Sequence, residues 1–195
     1  MSRNLALNFK IASEPDEFDQ IHRLNYQTFV EEIPQHHPTP DGRLVDRFHH
    51  ENTYLICLGD DQLVGMMALR GKRPFSLDQK LENLDSYLPS GRRIVEVRLL
   101  SISKEHRNGP VLLGLLKLLA EHCIPRGYNL AIISGTLRQQ KLYKHLGFVP
   151  FGHLVGPSGA QYQPMYLTLE VFETQAKKLL STPSLDNLSA PSENP

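Results

Sequence analysis

Two passages of the chain carry residues whose types and spacing suit chemistry. In the first, a strand-like run from Arg93 to Ser103 turns through Lys104-Glu105-His106-Arg107-Asn108-Gly109 into an apolar helical stretch opened by Pro110. A helix start after a buried strand presents unbonded backbone N–H groups and a partial positive charge, so Arg107 and Gly109 suit a phosphate or pyrophosphate. A glycine turn with proline at the first helical position is also an ordinary way to open a helix, and the turn alone does not separate the two readings. Within the same strand Ile94, Glu96 and Arg98 share one face, and Val95, Val97 and Leu99 the other. A lone carboxylate in a central strand is costly, so Glu96 must pair with Arg98 or hold its proton more tightly. A carboxyl with a raised pKa suits a general base that deprotonates an ammonium; a structural Glu96–Arg98 pair explains the same pattern. The second passage is Leu142-Tyr143-Lys144-His145-Leu146-Gly147-Phe148, an aromatic residue in a short helix that ends at glycine.

These residues need a scaffold, and the pattern supplies one. A strand over 8–12 leads to Ser13-Glu14-Pro15-Asp16, a cap-like cluster before Phe18, Ile21, Leu24, Phe29 and Ile33 at helical spacing. Residues 35–52 read mostly as loop. Two apolar runs, 53–58 and 62–70, flank Gly59-Asp60-Asp61 and read as a hairpin. Leu77, Leu81, Leu84 and Leu88 predict a small helix within the insertion 71–91. Beyond the strand at 93–103 come a helix from Pro110 to about Ile124, a strand over 128–134, a short helix over 136–146, and strands over 148–155 and 161–170. Hairpins combined with one βαβ crossover give an α+β architecture, an α/β sandwich whose mixed central sheet carries helices on both faces.

With 195 residues, 21 basic against 21 acidic, the chain suits a single domain over 1–180 and lacks the charge of a nucleic-acid binder. The apolar stretch from Pro110 to Leu116 is far short of a membrane span, and MSRNLALNFK has no signal-like block, so a cytoplasmic protein is expected. From 181 to 195 nine of fifteen positions are Ser, Pro or Asn, which reads as a flexible tail. Cys57 and Cys123 form no C-x-x-C pair and read as packed thiols. The pairs His36-His37 and His49-His50 lie on one loop, where adjacent side chains point apart, so no metal site is expected. His106 and His145 read as surface residues.

Ile102-Ser103-Lys104-Glu105-His106-Arg107 and Tyr143-x-x-x-Gly147-Phe148 resemble the GCN5-related N-acetyltransferase (GNAT) superfamily, with agreeing element order over roughly 8–172. The resemblance implies that strands four and five splay to admit the pantetheine arm of acetyl-CoA or a longer acyl-CoA, whose acyl group passes directly to a small-molecule amine. It places a catalytic base at Glu96 and an acid for the departing thiolate at Tyr143. It places the cofactor against Leu100, Ser101, Ile102, Arg107, Asn108, Gly109, Pro110, Val111 and Thr136. Pro110 and Leu112 fall where the family's turn keeps small residues, and Thr136 replaces a common asparagine. A fainter resemblance, in Arg23-Leu24-Asn25-Tyr26-Gln27-Thr28-Phe29-Val30-Glu31-Glu32 followed by Asp46, is to the autoinducer synthase and N-acyl amino acid synthase branch. That branch takes long acyl chains from the phosphopantetheine of an acyl carrier protein and does not rely on the glycine-rich turn. Its usual strand-four arginine falls here on Leu99, with Arg98 one residue early and so expected on the opposite face. A non-catalytic module that retains the fold is the alternative from another class.

Overall fold

The computed structural model describes residues 6–107, 109–157 and 161–181. Asn108 and the expected tail beyond Ser181 lie outside the described residues. Seven strands form one mixed sheet: β1 (Leu7–Ile11), β2 (Thr53–Gly59), β3 (Gln62–Arg70), β4 (Ile94–Ile102), β5 (Leu130–Thr136), β6 (Val149–Pro150) and β7 (Tyr162–Thr168), in the order β1-β2-β3-β4-β5-β7-β6. Only β4 and β5 run parallel, as the crossover through helix α2 (Pro110–Cys123) requires.

Alternation along β2 and β3 divides the core between two faces. Leu55, Cys57, Met67 and Leu69 pack with Val111 and Leu115 of α2. Tyr54, Ile56, Met66 and Ala68 pack on the other face with Ile21 and Leu24 of helix α1 (Pro15–Tyr26). The start of α1 is fixed by Glu17, whose carboxylate accepts the backbone N–H groups of Ser13 and Glu14 at 2.8 and 3.1 Å and the Lys10 ammonium at 2.6 Å. Helix α3 (Gln140–His145) follows β5, and α4 (Leu169–Ser181) closes the described chain.

The expected elements are present with four differences. The first helix becomes a π turn over Gln27–Glu32, where the Ile33 N–H donates to the Thr28 carbonyl at 3.0 Å; the wider winding turns Thr28, Phe29 and Val30 inward. The insertion 71–91 buries Leu77, Leu81, Leu84 and Leu88 but not on one helix, because Asn83 adopts φ +53 and leaves only a 3-10 turn over Leu84–Tyr87. The strand expected at 148–155 is reduced to Val149–Pro150 and a single bridge at Val155. Helix α4 begins inside the strand expected over 161–170 and runs on through 171–180, where the sequence pattern predicts no element, to Ser181. None of the described helices is long and apolar enough to cross a membrane.

Candidate active site

The parallel pairing of β4 with β5 covers only Ile94–Glu96 against Leu130–Ile132. Beyond that point the strands part, although β4 continues to Ile102 and β5 to Thr136. A cavity of about 560 Å³ fills the gap and reaches both faces of the sheet. That volume is in the range of a small-molecule site, roughly 300–1,000 Å³. Its wall on the α1 side holds Asn25, Thr28, Phe29, Asp46 and Arg98; its wall on the α2 side holds Leu112, Leu116, Leu119, Leu146 and Phe148.

A bulge in β4 shapes the parting. Met66 pairs with Ser101 and Ala68 with Arg98, so Leu99 and Leu100 together face Met67. Leu99 takes φ +54, an uncommon conformation for leucine. The bulge resets the alternation: Leu99 packs with the α1-side cluster and Leu100 with the α2-side clusters. The expectation that a one-residue offset separates Arg98 from the face of position 99 is therefore corrected, since both lie on the α1 side. Strict period-2 reading missed this, and no glycine marks the bulge.

Arg98 donates from Nη1 and Nη2 to the two carboxylate oxygens of Asp46 at 2.7 and 2.9 Å. Asp46 also accepts from the Phe48 N–H at 2.9 Å and Asn52 Nδ2 at 3.0 Å. Burial would raise the Asp46 pKa, but the Arg98 bonds outweigh it and hold the carboxyl below its ordinary value. Lys80 also lines the cavity, and desolvation pulls its ammonium below the usual lysine pKa against the opposing pull of Glu96.

Glu96 is wholly buried and does not line the cavity. Its carboxylate accepts the Ser76 and Leu77 N–H groups at 2.9 and 3.2 Å and the Ser76 hydroxyl at 2.5 Å, with Arg98 Nε at 3.6 Å. The pairing expected with Arg98 is thus present, supplemented by donors from the insertion 71–91 that sequence reading did not anticipate. Ser76 itself stands between Glu96 and the cavity.

Tyr143 reaches the same cavity from α3 and packs edge-on against Phe148 at 5.9 Å. Its hydroxyl donates to Gln139 Oε1 at 2.9 Å, and burial pushes its pKa up to about 12. Gly135 makes room for the ring: a Cβ there would lie 2.9 Å from Tyr143 Cδ2. Gln139, which also accepts from Thr136 Oγ1 at 3.4 Å, went unnoticed in the sequence because nothing in its spacing marks it.

Of the other expected cofactor residues, Leu100 and Thr136 line the cavity, Ser101 is buried beside it, and Ile102 packs against the α2 side. The Val111 side chain is buried against Gly65 and does not line the cavity. Gly109 is the N-cap of α2 at φ +116, and Pro110 at N1 contributes no N–H. Arg107 donates from Nε to the Ile102 carbonyl at 2.9 Å and from Nη2 to Glu32 at 2.7 Å, so a phosphate must displace or join those partners. Of the paired histidines only His36 lines the cavity; His49 meets His22 edge-on at 4.7 Å and His50 edge-on at 5.1 Å.

The fold has close counterparts among solved structures. A CoA-dependent acyl-homoserine lactone synthase, BjaI, solved with SAM and isopentyl-CoA, superposes with TM-score 0.72 at 21% identity, over 89% of this chain and 90% of that one. FeeM, an N-acyl amino acid synthase from uncultured soil microbes, gives TM-score 0.69 at 18% identity, over 90% and 96%. The acyl-homoserine lactone synthase LasI gives 0.68 at 15%, over 85% and 91%. At these identities the likeness speaks for the fold, a GNAT-like acyl-CoA N-acyltransferase fold. No curated sequence gives a significant match. The family described as N-acyl amino acid synthase FeeM matches residues 20–169, from α1 through the first residue of α4. With a splayed cleft in place and most of its length matched, the chain belongs to the FeeM N-acyl amino acid synthase family and is an N-acyltransferase.

Proposed function

We propose that the protein transfers a long acyl chain from an acyl-pantetheine thioester, carried on CoA or on an acyl carrier protein, to the amine of an amino-acid-like acceptor. The observation that carries this reading is that the cleft adjoins a second hollow. An apolar groove of about 640 Å³ lies between α2 and α4 on the sheet, and it shares Leu116, Leu119, Leu146 and Phe148 with the cleft. An acetyl group has no use for such a groove; a long chain buries its methylenes there, at roughly 0.8 kcal/mol each. The name of the FeeM family favours an amino-acid acceptor, and the isopentyl-CoA of the BjaI structure favours an acyl thioester donor. The altered turn at Pro110 and the engaged Arg107 favour a carrier-protein donor, which needs no adenosine pyrophosphate site.

In this reading the amine nitrogen attacks the thioester carbon, the C–S bond breaks, and the proton lost by the nitrogen ends on the departing sulfur through solvent in the cleft, so the products are an amide and a free thiol. The free edge of β4 at Leu100–Ile102 pairs with the pantetheine amides as an added strand would. Tyr143 serves the thiolate. A phenol at about 12 does not surrender its proton readily to a thiolate whose ordinary pKa is about 8.5, so Tyr143 acts chiefly as a hydrogen-bond donor to the developing charge. Glu96 lies outside the cavity with both carboxylate oxygens engaged by Ser76 and Leu77, and its role is to hold Arg98 and the insertion in place.

Thiol release with acetyl, hexanoyl, dodecanoyl and palmitoyl donors, each on CoA and on carrier protein, tests the reading against a panel of amino acids. Rates that climb with chain length, with an N-acyl amino acid in the product, are expected. Equal rates for acetyl and longer donors would sink the long-chain assignment. Tyr143→Phe is expected to lower kcat by about 100-fold. Glu96→Gln is expected to preserve the shape of the pH–rate profile, and loss of its acidic limb would restore Glu96 as the base.

A further inference from the structure

Asn25 is fully buried on the last turn of α1, and neither its Oδ1 nor its Nδ2 has a hydrogen-bond partner among the described residues. Three residues on, Thr28 is 5% exposed and its Oγ1 is likewise unpartnered. Both line the cleft. Buried polar side chains are almost always partnered, so unmet atoms at adjacent positions on one wall are a departure that a functional site accounts for. The neighbouring charges are already engaged: Arg98 gives both terminal nitrogens to Asp46, which accepts from Phe48 and Asn52 as well. Asn25 and Thr28 are cleft-lining polar groups of this wall left for a ligand, and Ser134 Oγ is likewise unpartnered across the cavity on β5.

Their chemistry describes that ligand. A carboxamide offers one acceptor and two donors, and a hydroxyl adds a donor. A cation alone would leave the donors unmet, and an alkyl chain would leave every one of these groups unmet. A molecule with an N–H beside an oxygen acceptor satisfies them together, and an α-amino acid has its amine and carboxylate on one carbon. Lys80, lining the same cavity with no ionic partner among the described residues, adds the positive charge that a carboxylate seeks.

We propose that Asn25 and Thr28 read the acceptor: Asn25 Oδ1 accepts a hydrogen bond from the attacking amine, while Asn25 Nδ2 and the Thr28 hydroxyl donate to its carboxylate. The proposal rests on the acyl-transfer reading above, which it refines by assigning the acceptor subsite.

The test compares the parent chain with N25L and T28V in acceptor KM, donor KM and melting temperature, with and without amino acid. A bound acceptor supplies the missing partners, so each variant should raise acceptor KM by about tenfold and leave donor KM unchanged. Removing orphaned polar atoms should leave the melting temperature of the free protein unchanged or higher, while the rise on adding amino acid shrinks. Should N25L fail to fold, N25A and T28V carry the same comparison. Unaltered acceptor KM in a working enzyme overturns the proposal, as does a lower melting temperature with the ligand-induced rise intact, which marks a structural role. A parent that neither turns over nor is stabilised by any amino acid overturns the acyl-transfer reading, and this subsite with it.

Discussion

The two walls of the cleft are built on opposite plans. On the α1 side, Asn25 and Thr28 apart, the cavity is bounded by charged and polar groups tied by hydrogen bonds, with Arg98, Asp46 and Asn52 in one chain of contacts and Glu96 clamped behind Ser76. On the α2 side it is bounded by Leu112, Leu116, Leu119, Leu146 and Phe148. The polar wall has directional partners and resists change; the apolar wall has only surface and space. A reaction that joins a small polar molecule to an alkyl chain needs this division, with the thioester at the parting of β4 and β5 where the two walls meet.

The largest expected effect breaks the polar wall. Glu96→Ala leaves the Ser76 and Leu77 N–H groups and Arg98 without a buried acceptor, and should cost more than about 3 kcal/mol by chemical denaturation. A cost below about 1 kcal/mol would mean that the insertion 71–91 is held by its leucines and not by this carboxylate.

A smaller effect sharpens the contrast from the other side. Leu115 and Leu116 are neighbours on α2, yet Leu115 is fully buried in the core while Leu116 faces both hollows. Leu115→Ala should cost about 3 kcal/mol and Leu116→Ala about 1, because truncation next to existing space forfeits fewer contacts. Equal costs would show that the hollow is closed by packing in solution. Leu116→Ala should also shift the preferred donor toward bulkier chains, measured by the same thiol release assay.

Much of this was legible in the sequence, and what was missed follows one physical rule. Runs such as 62–70 and 93–103 announced their strands because burial on both faces selects apolar residues, and Tyr143 with Gly147 and Phe148 marked the cleft through a resemblance. The apolar circumference of α2 is of the kind that burial against a sheet selects, yet part of it lines hollows instead. Features set by tertiary context stayed hidden. The bulge at Leu99, the π turn at 27–32 and the seating of Glu96 under Ser76 each depend on partners distant in the chain, and Asn25 looked like any polar residue in a helix until its lack of partners was visible.

The smallest expected effect tests whether the polar wall weakens first in acid. His22 and His49 meet edge-on, and both have lowered pKa values, chiefly from desolvation, then from the neighbouring His49 and His50 respectively, with Asp19 and Asp46 pulling the other way. A histidine whose folded pKa lies below the ordinary 6.5 binds fewer protons folded than unfolded, so its contribution is complete above pH 6.5 and is lost as pH falls through the folded value. Asp46 is also lowered, but from 3.8, so its contribution is lost only in stronger acid. His49 Nδ1 lies 3.2 Å from the Tyr54 hydroxyl, which accepts from Asn52, and Asn52 in turn holds Asp46. Protonating His49 makes that nitrogen a donor to a group already receiving one. Melting temperature should therefore decline from pH 6.5 downward, with acceptor KM rising before donor KM. His49→Gln should flatten the decline between pH 6.5 and 5, and parallel curves for the variant and the parent would place the acid sensitivity outside this wall.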